Sequence, residues 1–563
     1  MTPYAFKLHH LAILLILVTK SAFPANPVAN IQQQNANQQE QQKALQSQLD
    51  TTGKDVRSEP APDIIKGQKY LDEPDCLKIK DVQLDKDGAV PHWLPLQRIA
   101  NQAVGHCMNA SNIKTIAITL QNKLIASGYI TSRTELPEQN VKDGDLKIKV
   151  VSGLIGNIFL QDGSDKYVHV TNTFPTHKGK ILDLRDLEQG LENMQGIPTT
   201  DVHINLLPSS EEGKSDVAID RSQQSFWRVA GWADDSGSRS TGRYQAGLAL
   251  YLDNPTSLND LFYISASHDL QDSHTKGNKS TSLNYTVPFG YWSFNVYASE
   301  NKYHQALVGD YSNYHYRGNN KVVIGKVSRV VHRGAQQKTT FSTQVIKRDA
   351  HYHIGDTEME LQRLNLTNLR FDLAHRHYLR NSVVDADLSF QRNVRWFGSK
   401  ETASSKYGET SDISRIVTLD LQAQAPFELA GLAMSWQPRY YQQYSPDQLI
   451  TQDQFNIGNR WTVRGFNGEN TLMGDRGWYF SNTINIDMPQ SWNNQLYVGV
   501  DYGRVSHINQ EWVTGKSISG GTIGFRGMKW KTGYDVFAGT PISKPKGLVT
   551  DHLTLGFTLQ WMY

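Results

Sequence analysis

Two histidine pairs, His351 with His353 and His375 with His377, have the i, i+2 spacing that sets both rings on one face of a β-strand, where a metal ion could be shared. Strand histidines also serve as solvated pore or loop residues, and that plainer reading is adopted. The only cysteines are Cys76 and Cys107, with His106 beside the second. A metal site would need more ligands at regular spacing than this neighbourhood offers, which leaves a disulfide or two buried thiols. There is no Gly-rich phosphate loop, no nucleophile elbow and no HExxH, and the Ser, His and Asp residues are too scattered to select a triad. The sequence therefore assigns no metal, no cofactor and no enzymatic reaction. Arg464 sits in the run Val463-Arg464-Gly465-Phe466, and Asp501 in the run Tyr497 to Gly503. Val498, Val500 and Tyr502 fall on one face of a strand, so Asp501 and Gly503 fall on the other. A carboxylate there could hold a guanidinium through two parallel hydrogen bonds.

The elements that position these residues follow from length and composition. At 563 residues the chain exceeds one ordinary domain, and with 38% hydrophobic residues it is too polar for a bundle of membrane helices. Lys and Arg number 57 against 55 Asp and Glu, a net charge of +2, so no basic field calls for nucleic acid. The longest apolar run, Leu11 to Val18, is shorter than the ~20 residues of a membrane helix. It suits the core of a signal peptide, with Lys7 before it and Ser21, Ala22 and Ala25 after it, so residues 1–25 are expected to be removed on export. Export places Cys76 and Cys107 in an oxidising compartment, which favours a disulfide between them.

Residues 26–50 are crowded with Gln and Asn and can form no ordinary core. They read either as a disordered tail or as a helix polar on all sides that needs a wet surrounding, such as a barrel lumen. Residues 51–73, with Gly53, Pro60, Pro62 and Gly67, have linker composition. Residues 74–152 read as a small α/β unit: a strand at Leu77 to Leu84, helical periodicity through Ile113, Ile116, Leu120 and Leu124, then strands at Ile130 to Leu136 and Leu146 to Val151. A second round fills 153–225, with a helix from Asp183 to Met194 among strands at Ile155, Val202 and Ser215.

From 226 to 563 the periodicity becomes two. Trp292, Phe294, Val296 and Ala298 alternate with Ser293, Asn295, Tyr297 and Ser299; Val417, Leu419 and Leu421 alternate with Thr418, Asp420 and Gln422. The end alternates Leu553, Leu555, Phe557, Leu559, Trp561 and Tyr563 with polar or small residues. One face suits lipid and the other water, as in a transmembrane antiparallel β-barrel, although a large secreted sandwich also alternates.

Across the mature chain the sequence resembles the TpsB family of two-partner secretion transporters. The likeness rests on Leu120 to Arg133 with Pro137, Gln139 and Gly144 in the first unit, on Leu184 to Asn193 in the second, on Asp234 to Gln245 at the barrel entry, and above all on Val463-Arg464-Gly465-Phe466 followed by Gly474-Asp475-Arg476-Gly477. The resemblance implies a sixteen-stranded barrel, two POTRA domains and an N-terminal plug helix, which turns 26–50 towards helix. It further implies an extracellular loop around 455–478 that folds into the barrel and pairs Arg464 with Asp501. The expected function is an outer-membrane pore that secretes a large exoprotein, bound through its N-terminal domain by periplasmic POTRA domains. The pore is expected to be monomeric and to use no ATP. An assembly factor of the BamA class is the alternative, disfavoured by the two modules and the Gln-rich plug.

Overall fold

The computed structural model describes residues 27–50, 55–58, 76–308, 313–411, 413–488, 494–508 and 515–563. The expected signal peptide and most of the expected linker lie outside the described residues. Helix α1 (Pro27–Leu49) comes first.

The first α/β unit is built on β1 (Asp81–Lys86), helix α2 (Ala110–Ala126), β2 (Arg133–Glu135) and β3 (Asp145–Val151). Asn109 caps α2 by accepting a hydrogen bond from the Asn112 amide at 2.9 Å. Ile116, Leu120 and Leu124 then share one stripe of the helix, and all three are fully buried against Leu146, Ile148 and Val150 of β3. Their polar neighbours Lys147 and Lys149 point out, so alternation in the strand meets periodicity in the helix. Each such leucine contributes about 1.5–3 kcal/mol by leaving water. The strand read as Leu77 to Leu84 is broken: Leu77 and Lys78 pair with Met108 and Cys107, and β1 runs parallel to β3. The strand read as Ile130 to Leu136 shrinks to three residues because Gly128, at φ +104°, turns the chain out of α2. Cys76 and Cys107 are disulfide-bonded across 31 residues, a loop closure worth about 3–4 kcal/mol in the chain-entropy account.

The second unit repeats the plan with β4 (Leu154–Leu160), α3 (Leu184–Gln195), β5 (Thr200–Pro208) and β6 (Lys214–Gln223). Leu187 and Met194 of α3 pack on Ile155, Val202, Val217 and Ile219.

From Trp227 the chain forms a closed antiparallel barrel of sixteen long strands, in which Thr554–Met562 pairs back onto the first strand, Trp227–Asp234. A two-residue strand, Thr357–Glu358, extends one outer hairpin without crossing. The alternation read from the sequence is the wall itself. In Trp292–Val308, Trp292, Phe294 and Val296 are exposed outward while Tyr297, Asn301 and Tyr303 are buried inward. Strands such as Asn313–Arg333, at 21 residues, exceed the ~10 that cross hydrocarbon, so their outer ends stand clear of the membrane. A short hairpin, Phe455–Ile457 with Leu472–Gly474, brings a loop back inside.

Candidate functional site: the plugged lumen

Helix α1 has no apolar stripe and carries only two charges, Glu40 and Lys43, which pair with each other at 2.7 Å. Such a helix is stable only where its amides find partners on every side. Inward residues of three neighbouring strands and of the connection between the first two strands supply them. Asn35 bonds Tyr316 at 3.4 Å and accepts from the Tyr303 hydroxyl; Gln38 donates to Thr241 at 3.0 Å and accepts from Asn278 at 3.3 Å; Gln42 accepts from Ser280 at 2.8 Å. At the periplasmic end Leu49 packs among Trp232, Ala249, Tyr251 and Tyr263, and the hydroxyls of Tyr251 and Tyr263 donate to Leu49 O and Asp50 at 3.0 Å each. These tyrosines escaped the sequence reading, although their inward parity was available.

The other side of α1 meets the inward loop. Val463 and Phe466 are buried with Phe455, Ile457, Leu472, Tyr479, Val505 and Ile518 in an apolar cluster inside the barrel. Between them Arg464 reaches the wall. Its Nε and Nη2 donate to the two oxygens of Asp501 at 2.7 Å each, and its own amide donates to Asp501 at 2.9 Å. Ser481 donates to the same carboxylate at 2.9 Å, and Arg464 also reaches Asn482 O at 3.2 Å. Asp501 is sealed from water and every lone-pair direction is used, the condition under which a buried ion pair holds rather than weakens a structure.

The wall accommodates the loop because it lacks side chains where the loop lies. A Cβ on Gly503 would stand 2.8 Å from Val463, one on Gly539 2.9 Å from Gly465, and ones on Gly499 and Gly520 would overlap Arg464 itself. Gly465, at φ +97°, gives the turn that presents Arg464 between its buried neighbours. Asp475 of the following motif accepts from the amides of Leu449 at 2.8 Å and Ile508 at 2.9 Å, anchoring the loop's return. Plug and loop are joined directly: Asn37 donates to Gly468 O at 2.7 Å and accepts from Asn456 at 2.9 Å.

The four paired histidines do not face this lumen. His351 and His353 alternate with inward Arg348, Ala350 and Tyr352, and His375 and His377 with inward Arg370, so all four sit on the outer face; His351 pairs with Asp349 and Glu358, and His375 stacks on His377.

Residues 213–527 match the family described as haemolysin secretion/activation protein ShlB/FhaC/HecB, more than half of the chain, and 77–153 and 154–208 match two POTRA domain families. The chain belongs to the haemolysin secretion/activation family. It is similar to the outer membrane transporter CdiB-2 of Burkholderia pseudomallei, 32% identical with 93% of each chain covered. Its fold is that of the solved CdiB structures from Escherichia coli (TM-score 0.81, 23% identity, 97% of this chain and 100% of that one) and Acinetobacter baumannii (TM-score 0.80, 25% identity, 96% and 100%). The protein is an outer-membrane secretion transporter with periplasmic POTRA domains, and the family match selects the exporter reading over the assembly factor.

On the periplasmic side the transporter is locked together around Arg333, the last residue of strand Asn313–Arg333. Its guanidinium meets Glu192 at 2.8 Å and Gln189 at 2.9 Å on α3, and donates to Val56 O at 2.5 Å in the segment following the plug. Lys338 bridges Glu192 at 2.7 Å and Asp55 at 3.6 Å. Asn193 donates to Gly290 O in the neighbouring turn at 2.8 Å. The strap 55–58 thus lies between the second POTRA domain and the barrel.

The junction between the two POTRA domains holds a buried acid. Asp183 caps α3 by accepting from the Arg185 amide at 2.8 Å and fills the space that a Cβ on Gly128 would take. Burial pushes its carboxyl up from 3.8 to about 6; the Arg185 amide opposes this and the Asp186 charge adds to it. A raised carboxyl favours the protonated fold, so this group's contribution is complete below about pH 4 and is lost as pH rises through about 6. Asp183→Asn keeps the cap and removes the ionisation. Protease resistance of the POTRA junction in the full-length protein should then no longer fall between about pH 4 and pH 7, with a gain of about 1–2 kcal/mol at the upper end, discounted for partial exposure. An unchanged pH profile would refute this.

Proposed function

We propose that this transporter passes one partner exoprotein as an unfolded chain from the POTRA domains through the lumen to the cell surface, after α1 and the inward loop give way. Export of partner exoproteins is the business of the family; the route and the docking at the POTRA domains belong to this proposal. The observation that carries it is the polar helix threaded through the barrel, held by side-chain amides and hydroxyls that a passing backbone could replace one for one. Strands at the sheet edges, β1 in the first domain and the part of β4 beyond Ile155 in the second, suit an extended segment of cargo. With no nucleotide outside the inner membrane, folding of cargo at the surface supplies the drive, and the reading gives the protein no chemical step. One chain forms one pore. The relatives named CdiB point to a cargo of the contact-dependent inhibition kind. The test is to express the transporter with the exoprotein encoded beside it and label the cell surface. Cargo outside with the transporter and retained in the periplasm without it supports the reading; equal surface labelling in both ends it.

A further inference from the structure

The extracellular loop that follows strand Val383–Val394 leans outward over the membrane-facing wall. Thr367, on strand Leu364–Tyr378, has the outward parity of Leu369 and Phe371, yet it is fully buried. What covers it is the stretch 395–400. Thr367 Oγ1 donates to Trp396 O at 2.9 Å, the Lys400 amide donates to Asn365 O at 2.8 Å, and Ser399 Oγ accepts from the Thr367 amide at 3.2 Å. The chain makes this roof by turning at Phe397 and Gly398, both at positive φ.

Beside the roof is a cavity of about 420 Å³. Leu369, Phe371 and Phe390 form its apolar floor, Arg392, Arg395 and Lys400 line it as well, and no carboxylate does. Trp396 and Phe397 stand beside it, 48% and 72% exposed. The lumen is on the far side of the wall from this cavity. On strand Val383–Val394 the outward series changes here from Leu388 and Phe390 to Arg392, the change expected where hydrocarbon gives way to lipid phosphates and water. Aromatic rings anchor at that boundary, and basic pockets there take anionic head groups.

We propose that this cavity holds one phosphorylated acyl lipid of the outer leaflet, of the lipopolysaccharide class, with an acyl chain on Leu369, Phe371 and Phe390 and a phosphate on Arg392 and Lys400. Guanidinium and ammonium bind phosphate through charge-assisted hydrogen bonds, and an apolar floor distinguishes a lipid from a free anion. The site is preformed, because the hydrogen bonds to Thr367 and Asn365 fix the roof before any lipid arrives.

Native mass spectrometry of the full-length transporter, released from micelles doped with deep-rough lipopolysaccharide, tests the assignment. The parent should retain one lipid. Arg392→Gln with Lys400→Gln should weaken retention about fivefold for each cation removed. Lys149→Gln, an exposed lysine of the first POTRA domain, should change nothing. Lys400→Gln alone, on a loop, provides the reading if the double variant does not reach the folded, heat-modifiable state. Equal retention by parent and Lys400→Gln, or equal retention of dephosphorylated lipid, overturns the proposal. So does saturation by inorganic phosphate with no lipid retained, which would make the cavity a free-anion site.

Discussion

Deleting residues 27–50 should raise single-channel conductance in planar bilayers several-fold and replace a small, fluctuating current with a steady large one. Helix α1 runs the length of the lumen, and the space left beside it amounts to about 920 Å³, lined by Gln38, Gln42, Arg348, Arg439 and other inward polar residues. Ions must therefore pass through the space that the helix leaves. The helix is held by neutral hydrogen bonds, each worth about 0.5–1.5 kcal/mol net. Several together keep it in place, and their individual weakness lets it leave. Substituting Asn37 with Ala removes the contacts to Gly468 and Asn456 alone, and should give more frequent openings without enlarging them. Conductance unchanged by the deletion would show that the helix does not occlude the resting pore.

The second large effect is expected at Arg464 and Asp501. Removing either partner leaves the other charged, buried and unpaired, a cost of about 3–5 kcal/mol. Arg464→Ala and Asp501→Ala should each abolish most secretion at normal barrel abundance, and the double variant should be no worse than either, because all three lose one interaction. Arg464→Lys keeps the charge but cannot form the two parallel bonds, so it should also fail. Secretion of cargo, normalised to heat-modifiable barrel, is the measurement; full secretion by both single variants would show that the pair does not position the loop. Enlarging Gly503 to Val provides an independent check. The added side chain meets Val463, so the loop should be displaced with both charges intact, and secretion should fall.

The barrel was legible because lipid and water impose opposite demands on successive residues. That demand aimed Asp501 inward, since Val498, Val500 and Tyr502 could face only lipid. Gly499 and Gly503 share the parity of Asp501 and were a further sign that something packs closely there. Above the hydrocarbon the rule lapses. In strand Gln337–Ile354 the outward series runs from Val345 to Lys347, Asp349, His351 and His353, charges that stand in water although they face away from the lumen. For that reason the spacing of His351 and His353 suggests lumen or loop residues, whereas both lie on the outer face. The contacts of α1 were out of reach for another reason. Asn37 and Gly468 are 431 positions apart, and amide-to-carbonyl contacts carry no signature of which amide meets which carbonyl. The break in the first strand at Lys80 was hidden because Leu77 and Val82 both look like strand residues, while the disulfide side and the sheet side pull them to different partners.

Among the described residues, no ion pair joins α1 to the wall: its Glu40 and Lys43 satisfy each other, and the hydrogen bonds from the helix to the wall join uncharged dipoles, with one carboxylate, Asp50 just past its end, accepting from Tyr263. The outer membrane faces the external medium directly, at whatever ionic strength that medium has. A plug clamped by opposite charges would loosen as the Debye length shrank from ~30 Å in dilute water to ~8 Å in physiological saline. Neutral hydrogen bonds are indifferent to that change. The hold of the helix on the wall should therefore vary little with salinity, unlike the ion pairs that fasten the strap 55–58 beneath it.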